Sequence, residues 1–208
     1  MNVDDYILSC IDEEPSLLTA LNRKAHIDLL RPRMIAGHLQ GRILKMLVRM
    51  KRPQRILEIG TYTGYATLCL AEGLPEDGEI HTIEIDDEME DFIREHLNQS
   101  ALKDKIHLHI GDALEIIPKM AGLFDLVFID ADKRDYCQYY DLVFDRVKKG
   151  GIILADNTLW NEKVLEEPHS NDKQTIGIIR FNEMIAKDKR IEKVILPLRD
   201  GLTIIYKK

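Results

Sequence analysis

The chain has 208 residues, 45 % apolar and 31 % charged, with a net charge of −7, enough for one domain with a sizeable core and of ordinary soluble composition. No stretch approaches the roughly 18 uninterrupted apolar residues of a membrane span, and the acidic start Met-Asn-Val-Asp-Asp-Tyr is unlike a signal peptide, so a cytoplasmic protein with no membrane partner is expected. Cys10, Cys69 and Cys137 are odd in number and widely spaced, which suits a reducing compartment and gives no sign of zinc or a disulfide framework.

Residues 1 to 30 read as helical: Ile7, Leu8 and Ile11 are followed, beyond Pro15, by Leu17, Leu18 and Leu21, and Pro15 suits the first turn of a new helix. A third helix is predicted from about Met34 to Met50, where Ile35, Leu39, Ile43, Met46, Leu47 and Met50 keep helical spacing while Arg42, Lys45, Arg49 and Arg52 form a separate basic stripe. Pro53 closes it. Arg23 to Arg55 holds ten basic residues and one acid, Asp28. Such clustering marks either a polyanion-binding face or a solvated helix face balanced by acids elsewhere.

After Pro53, strand and helix patterns alternate to the end, the sign of an α/β sheet. Strands are predicted at about 55–59, 80–85, 106–110, 124–130, 151–156, 192–197 and 202–206, with helices at about 64–73, 87–99, 113–119, 135–147 and 174–187. Only Leu198 to Gly201 separates the last two strands, too short for a parallel crossover, so they should form an antiparallel hairpin turning on Asp200-Gly201. With no internal repeat and no linker, one domain over 1–208 is expected, a helical extension over 1–53 preceding an α/β core over 54–208.

In the first half of that core, Arg55 to Thr67 reads as a strand, a glycine loop and a helix start, a usual place for a nucleotide-like ligand. Gly60 and Gly64 bracket Thr61-Tyr62-Thr63, without the central glycine that lets backbone approach a pyrophosphate. Glu58 at the strand end would repel phosphate, so a ligand with a positive group fits better. Glu84, 20 residues after Gly64, has the spacing of an acid that accepts hydrogen bonds from ribose hydroxyls. Gly111-Asp112-Ala113 ends the third strand with backbone N–H groups for an adenine edge.

Further on, two apolar runs each end in a carboxylate: Asp-Leu-Val-Phe-Ile-Asp-Ala-Asp-Lys closes at Lys133, and Gly-Gly-Ile-Ile-Leu-Ala-Asp-Asn closes at Asn157. The second is expected to rise straight from a Gly150-Gly151 turn. A strand, helix, strand unit makes parallel neighbours whose C-terminal ends open on a crevice. Asp130 and Asp156 should meet there, with Asn157 beside them and Lys133 one helical turn from Asp130. Two carboxylates in a crevice repel unless one takes a proton or a cation sits between them. Asp130, Asp156 and Asn157 are hard oxygen donors, suited to Mg²⁺, or to Mn²⁺ or Ca²⁺, rather than zinc; otherwise Asp156-Asn157 only opens a loop and Asp130 caps a helix. Lys133 is either a general base, because a nearby cation favours the neutral amine, or a salt-bridge partner of Asp130, Asp132 or Asp135. Trp160 either walls an acceptor pocket or packs. His107 and His109 share a strand face and, with no acid at matching spacing, are not expected to ligate a metal. Tyr206 is expected to pack.

Glu58-Ile-Gly60-x-x-x-Gly64, Glu84, Ile-Asp130-Ala-Asp-Lys133 and Ala-Asp156-Asn157-x-x-Trp160 together resemble the S-adenosylmethionine-dependent, metal-dependent O-methyltransferases of the catechol and caffeoyl-CoA type, over roughly residues 25 to 208. The resemblance implies a Rossmann-like class I methyltransferase fold, α/β, with a seven-stranded, mostly parallel sheet whose last strand is antiparallel. It implies cofactor contacts from Met34 and Ala36 in an N-terminal lid, from Glu58, Gly60, Tyr62, Gly64 and Ala66 around the methionine moiety, from Glu84 at the ribose with Ile85 beside it, from Ala113 near the adenine, and from Asp130. Ala66 stands where the family often has serine, which removes a hydroxyl contact to the methionine carboxylate and leaves the helix N–H groups as its partners. A metal on Asp130, Asp156 and Asn157, catalysis by Lys133 with Asp130, acceptor contact by Trp160 and a homodimer are implied too.

The expected reaction is methyl transfer to one hydroxyl of an acceptor that chelates the ion through two oxygens. The acceptor is a catechol-like small molecule or, alternatively, tRNA carrying 5-hydroxyuridine at the wobble position, a base that some bacterial relatives methylate; the basic segment suits an RNA backbone. A non-catalytic S-adenosylmethionine-binding protein is a third reading, against which the uncompensated carboxylates speak.

Overall fold

The computed structural model describes residues 1–208, and none of its helices is long and apolar enough to cross a membrane. Three helices precede the sheet: α1 (Val3–Cys10), α2 (Ser16–Asp28) and α3 (His38–Lys51). α1 buries no residue, whereas α2 buries Leu18, Leu21 and Ala25. The third helix begins later than its apolar spacing predicts. Pro32–Met34 forms a separate 3-10 turn and Gly37, at φ +78°, leads into α3, so Met34 ends that turn and Ala36 lies in the loop that follows it. Arg42 and Lys45 are not part of a free basic stripe either, because Glu72 accepts from both at 2.8 Å and Arg42 is buried.

The core adds β1 (Arg55–Ile59), α4 (Tyr65–Ala71), β2 (Glu79–Glu84), α5 (Glu90–Leu97), β3 (Ile106–Ile110), α6 (Ala113–Ile116), β4 (Phe124–Ile129), α7 (Tyr136–Phe144), β5 (Val147–Asp156), α8 (Lys173–Lys187), β6 (Ile191–Leu196) and β7 (Leu202–Lys207). The seven strands lie in the order β3-β2-β1-β4-β5-β7-β6. Only β7 runs antiparallel to its neighbours β5 and β6, as the short Leu198–Gly201 connection requires. Every predicted strand is present. The helix expected at 174–187 is present in full as α8; the other four core helices are shorter than expected, with Asp87–Met89, Ile117–Lys119 and Lys133–Asp135 forming 3-10 turns at helix ends, where Pro118, for one, cannot donate a helical N–H. Gly150-Gly151 is not the turn before β5. The strand starts at Val147 and carries the glycines inside it, at a register shift against Phe124/Leu126, and this bulge absorbs what the local sequence shows as a turn.

Both faces of the sheet are covered, which is why its central strands are apolar at consecutive positions. Leu57, Ile59, Val127, Ile129, Ile153 and Ala155 pack toward Tyr136, Tyr140 and Phe181. Ile56, Phe128 and Leu154 pack toward Leu44, Val48 and Leu70. The strand order reverses between β1 and β4, and the C-terminal ends of these strands and of β5 open on one crevice, the usual ligand position in such sheets.

Candidate active site

β4 and β5 are parallel and in register from Leu126↔Ile152 to Ile129↔Ala155, so Asp130 and Asp156 leave adjacent strand ends side by side. Asp156 is 2 % exposed. Its carboxylate accepts from Gln40 Nε2 at 2.5 Å and from the Asn157 amide at 2.9 Å. Burial first, then the Asp130 charge, pushes its pKa up to about 7, against the pull of Gln40, Lys133 and the Asn157 N–H. Two carboxylates with one lysine between them lack positive charge, and Asp130, Asp156 and Asn157 offer oxygen only. That donor set fits a hard divalent cation such as Mg²⁺.

Lys133 is 5 % exposed. Its ammonium donates to Asp130 Oδ1 at 2.8 Å and to the Tyr136 hydroxyl at 2.7 Å. That hydroxyl donates in turn to the carbonyls of Asp156 at 2.9 Å and Ile129 at 3.2 Å. Tyr136 therefore ties the lysine to both strand ends. From behind, α8 presses on the same turn: the Lys133 amide donates to Gln174 Oε1 at 3.0 Å, and a Cβ at Gly177 would collide with the Lys133 carbonyl. Salt bridge and candidate base are thus one geometry. Tyr136, Gln40, Gln174 and Gly177 escaped the sequence reading. Only Gly177, an isolated glycine within a helical pattern, carried a signal that something approaches closely there.

The glycine loop after β1 is held by its surroundings as well as shaped for a ligand. Gly60 has φ +96°, and a Cβ on it would overlap the Asp130 carbonyl, so this glycine lets the loop cross the end of β4. Gly64 caps α4. Glu58 does not face open space: it is fully buried, Thr67 donates to its Oε2 at 2.5 Å, and Oε1 has no partner. Burial drives its carboxyl up to about 8, with Asp130 and Glu84 adding in the same direction. An orphaned, buried carboxylate oxygen at the base of the loop fits a ligand with a positive group. Glu84 accepts from the Tyr62 amide at 2.6 Å and the Asp86 amide at 3.0 Å, so backbone donors aim it at the crevice. Ile85 is 69 % exposed and lies just past β2 rather than inside it. Ala113 is buried behind the Asp112 cap of α6, and Ala66 is half-buried in α4. The Tyr62 hydroxyl donates to the Arg31 carbonyl at 2.9 Å, joining the glycine loop to the segment that bears exposed Met34 and buried Ala36.

Beyond β5, Asn157, Trp160, Asn161 and Glu162 all have φ between +48° and +61°, a strained run of the kind that gathers at functional loops. The β6–β7 hairpin holds it, with Thr158 N and Leu159 N donating to the Gly201 and Asp200 carbonyls at 3.0 and 2.8 Å. Trp160 lies with its ring 5.9 Å from Lys133 Nζ and its buried Nε1 without a partner. Tyr206, 45 % exposed, is not the packed residue expected.

At the opposite end of the sheet the expectation that no acid accompanies the histidines needs correction. Glu79 and His81 on β2 lie beside His107 and His109 on β3, because the strands pair His81↔His107. Glu79 contacts His81 at 3.1 Å and His107 at 3.3 Å, and the three could face one metal ion. Arg55 already fills that role: it donates to Glu79 at 2.6 Å and to His81 Nε2 at 3.0 Å, while His81 Nδ1 meets His109 at 3.1 Å. With a guanidinium on the shared ligand atoms, the cluster is satisfied without a metal.

Known proteins resemble this chain along its length. The O-methyltransferase family matches residues 9–208. A catechol O-methyltransferase of Niastella koreensis is 32 % identical over 202 residues, 95 % of this chain and 90 % of that protein. Caffeoyl-CoA O-methyltransferase 1 of Arabidopsis thaliana is 34 % identical over 176 residues, 79 % of this chain and 68 % of its own length. Among solved structures, the O-methyltransferase TomG of Streptomyces achromogenes, involved in tomaymycin synthesis and solved with S-adenosylmethionine (SAM), is 29 % identical with a TM-score of 0.90, covering 99 % of this chain and 96 % of TomG. An O-methyltransferase of Bacillus cereus in complex with SAH, at 29 % identity, has a TM-score of 0.89 and covers 99 % of this chain and 97 % of its own.

Proposed function

The chain belongs to the O-methyltransferase family, and from that premise we propose that it moves the methyl group of S-adenosylmethionine to one oxygen of a small, catechol-like acceptor with two adjacent oxygens. The observation that carries this reading is the convergence of Asp130, Asp156, Asn157 and Lys133 on one crevice, with Lys133 Nζ 2.8 Å from Asp130 Oδ1. Asp130, Asp156 and Asn157 would hold a divalent ion, which when bound would polarise the acceptor hydroxyl. The cofactor, when bound, would supply an electrophilic methyl for the acceptor oxygen, its sulfur leaving as a neutral thioether. The residues of the chain do the rest. Lys133, entering the step as the free amine, takes the hydroxyl proton and becomes the ammonium, and Tyr136 keeps it in line through its 2.7 Å contact. Glu84 fixes the cofactor from one side while the Gly60 loop, backed by Glu58, fixes it from the other. Such alignment is what an in-line displacement chiefly needs. Trp160, whose buried Nε1 lacks a partner, walls the acceptor side.

A second reading, methylation of 5-hydroxyuridine in tRNA, is favoured by exposed Arg31 and Arg33, which form no salt bridge and lie just before exposed Met34. It is weakened by Lys24, Arg42, Lys45 and Arg55, whose charges are spent on Asp28, Glu72 and Glu79. The deciding experiment incubates the protein with Mg²⁺ and labelled S-adenosylmethionine against a catechol panel and against undermodified tRNA. Label on a catechol, lost on chelation and in Asp156→Ala, is the expected result. Label on tRNA alone, suppressed steeply by salt, replaces the small-molecule reading with the second one, and activity that survives chelation removes the ion from both.

A further inference from the structure

Asp156 is held from α3 as well as from its own strand. Gln40, in the first turn of α3 and 116 residues earlier in the chain, donates from Nε2 to Asp156 Oδ2 at 2.5 Å. It is 1 % exposed. Its Oε1 lies 3.5 Å from Nη1 of Arg199 in the β6–β7 hairpin, and the same nitrogen donates to the Ile35 carbonyl at 3.0 Å. A carboxylate only accepts and a guanidinium only donates. Between the two, an amide has a single workable orientation, with its NH₂ toward Asp156 and its oxygen toward Arg199. Glutamate at this position would set acceptor against acceptor, and lysine would set donor against donor. An apolar chain of equal length would fill the same space without the cost of burying an amide, about 1–3 kcal/mol when unpaired. Packing alone therefore does not account for a glutamine here.

We propose that Gln40 is a positioning residue of the metal centre: clamped by Arg199, its amide holds the Asp156 carboxylate in the orientation in which it joins Asp130 and Asn157 around a divalent ion. This rests on the metal reading above. Gln40 acts through Asp156, as outer partners of ligating carboxylates do, commonly at about 10–100-fold in metal affinity. Arg199 extends the clamp to Ile35, between Met34 and Ala36, so the segment that precedes α3 and the metal carboxylate share one hydrogen-bonded network.

The test is titration of the full-length protein with Mn²⁺, followed by electron paramagnetic resonance or calorimetry, alongside separate titration with S-adenosylmethionine and thermal melting without ion. Gln40→Met keeps the length and removes both amide partners; Gln40→Ala is the second variant, and Asp156→Ala is the reference for the centre itself. Gln40→Met is expected to weaken Mn²⁺ by about 10–100-fold, to leave cofactor affinity unchanged with only a modest fall in ion-free melting temperature, and to regain turnover at saturating Mn²⁺, which Asp156→Ala does not. If both Gln40 variants bind Mn²⁺ like the unmodified protein while Asp156→Ala does not, the metal centre stands and the role of Gln40 is overturned. Loss of ion, cofactor and melting temperature together in both Gln40 variants overturns it too, as a purely structural effect. Undiminished Mn²⁺ affinity in Asp156→Ala overturns the metal reading, and the proposal with it.

Discussion

At the N-terminal end of the sheet Glu79 lies 2.6 Å from Arg55 and 3.3 Å from His107, and His81 and His109 share a hydrogen bond; at the C-terminal end the one buried lysine, Lys133, pairs with Asp130, while Asp156 and Glu58 are buried without an ion pair. The physical consequences diverge. At the first end the pKa of Glu79 is lowered, its partners prevailing over burial, and the pKa of the His81 imidazole is lowered by burial. At the second, burial pushes Glu58 to about 8 and Asp156 to about 7. Both ends gather polar side chains on adjacent strands, yet only one leaves charge uncompensated. Such imbalance is what a binding site for a positive group requires and what a structural cluster avoids.

The contrast can be broken most forcefully at Lys133. Lys133→Met should lower kcat by about 10²–10⁴-fold, the usual range for a general base, with S-adenosylmethionine affinity retained; unchanged turnover would strip the lysine of that role. The next effect is on pH dependence. A carboxyl raised in the folded state binds a proton that the unfolded chain has already lost, so the stability contributed by Glu58 and Asp156 is full below the ordinary range near pH 4 and is lost as pH rises through about 7 and 8. Melting of the ion-free protein between pH 5 and 9 (~4 pH units spanning those values) should therefore decline, less so in Asp156→Asn, and Mg²⁺ at the alkaline end should restore part of it. A flat profile in the unmodified protein would mean that the two ends of the sheet do not differ in charge balance. Gly177→Ala, which forces a methyl against the Lys133 carbonyl, should cost on the order of 1–3 kcal/mol of stability, read by denaturant unfolding, and should lower kcat by displacing the lysine. The smallest effect belongs to the satisfied end: Glu79→Gln should cost about 0–1 kcal/mol, as partly exposed ion pairs do, and leave kcat unchanged. A loss of turnover there would erase the distinction.

Much of the architecture was legible because its signals are local. Apolar runs bounded by turns marked all seven strands, and Leu198–Gly201 was too short for anything but a hairpin. The strand-end acids were readable for the same reason, since parallel strands deliver their C-terminal residues to one crevice. Where the reading failed, a distant element had intervened. Gly37 delayed the start of the helix that apolar spacing began at Met34, Glu72 neutralised part of the basic stripe, and β2 brought Glu79 and His81 to the histidines of β3. Gly150-Gly151 signals a turn in isolation, yet pairing with β4 made it a bulge.

The sequence by itself determined the alternation of strands and helices, the strand-end positions of Glu58, Glu84, Asp130 and Asp156, and the glycine loop, because each depends on period, spacing or a residue's own backbone preference. Only the tertiary structure decided what surrounds those groups. It set Gln40 against Asp156 and Arg199 against Gln40, from opposite ends of the chain, and Tyr136 under Lys133. It buried Glu58 with one oxygen unpaired, and it gave Arg55 to the histidine cluster in place of a metal. Desolvation and hydrogen-bond partnership arise from segments far apart in sequence, and they separate a carboxylate that binds from one that merely holds the fold together.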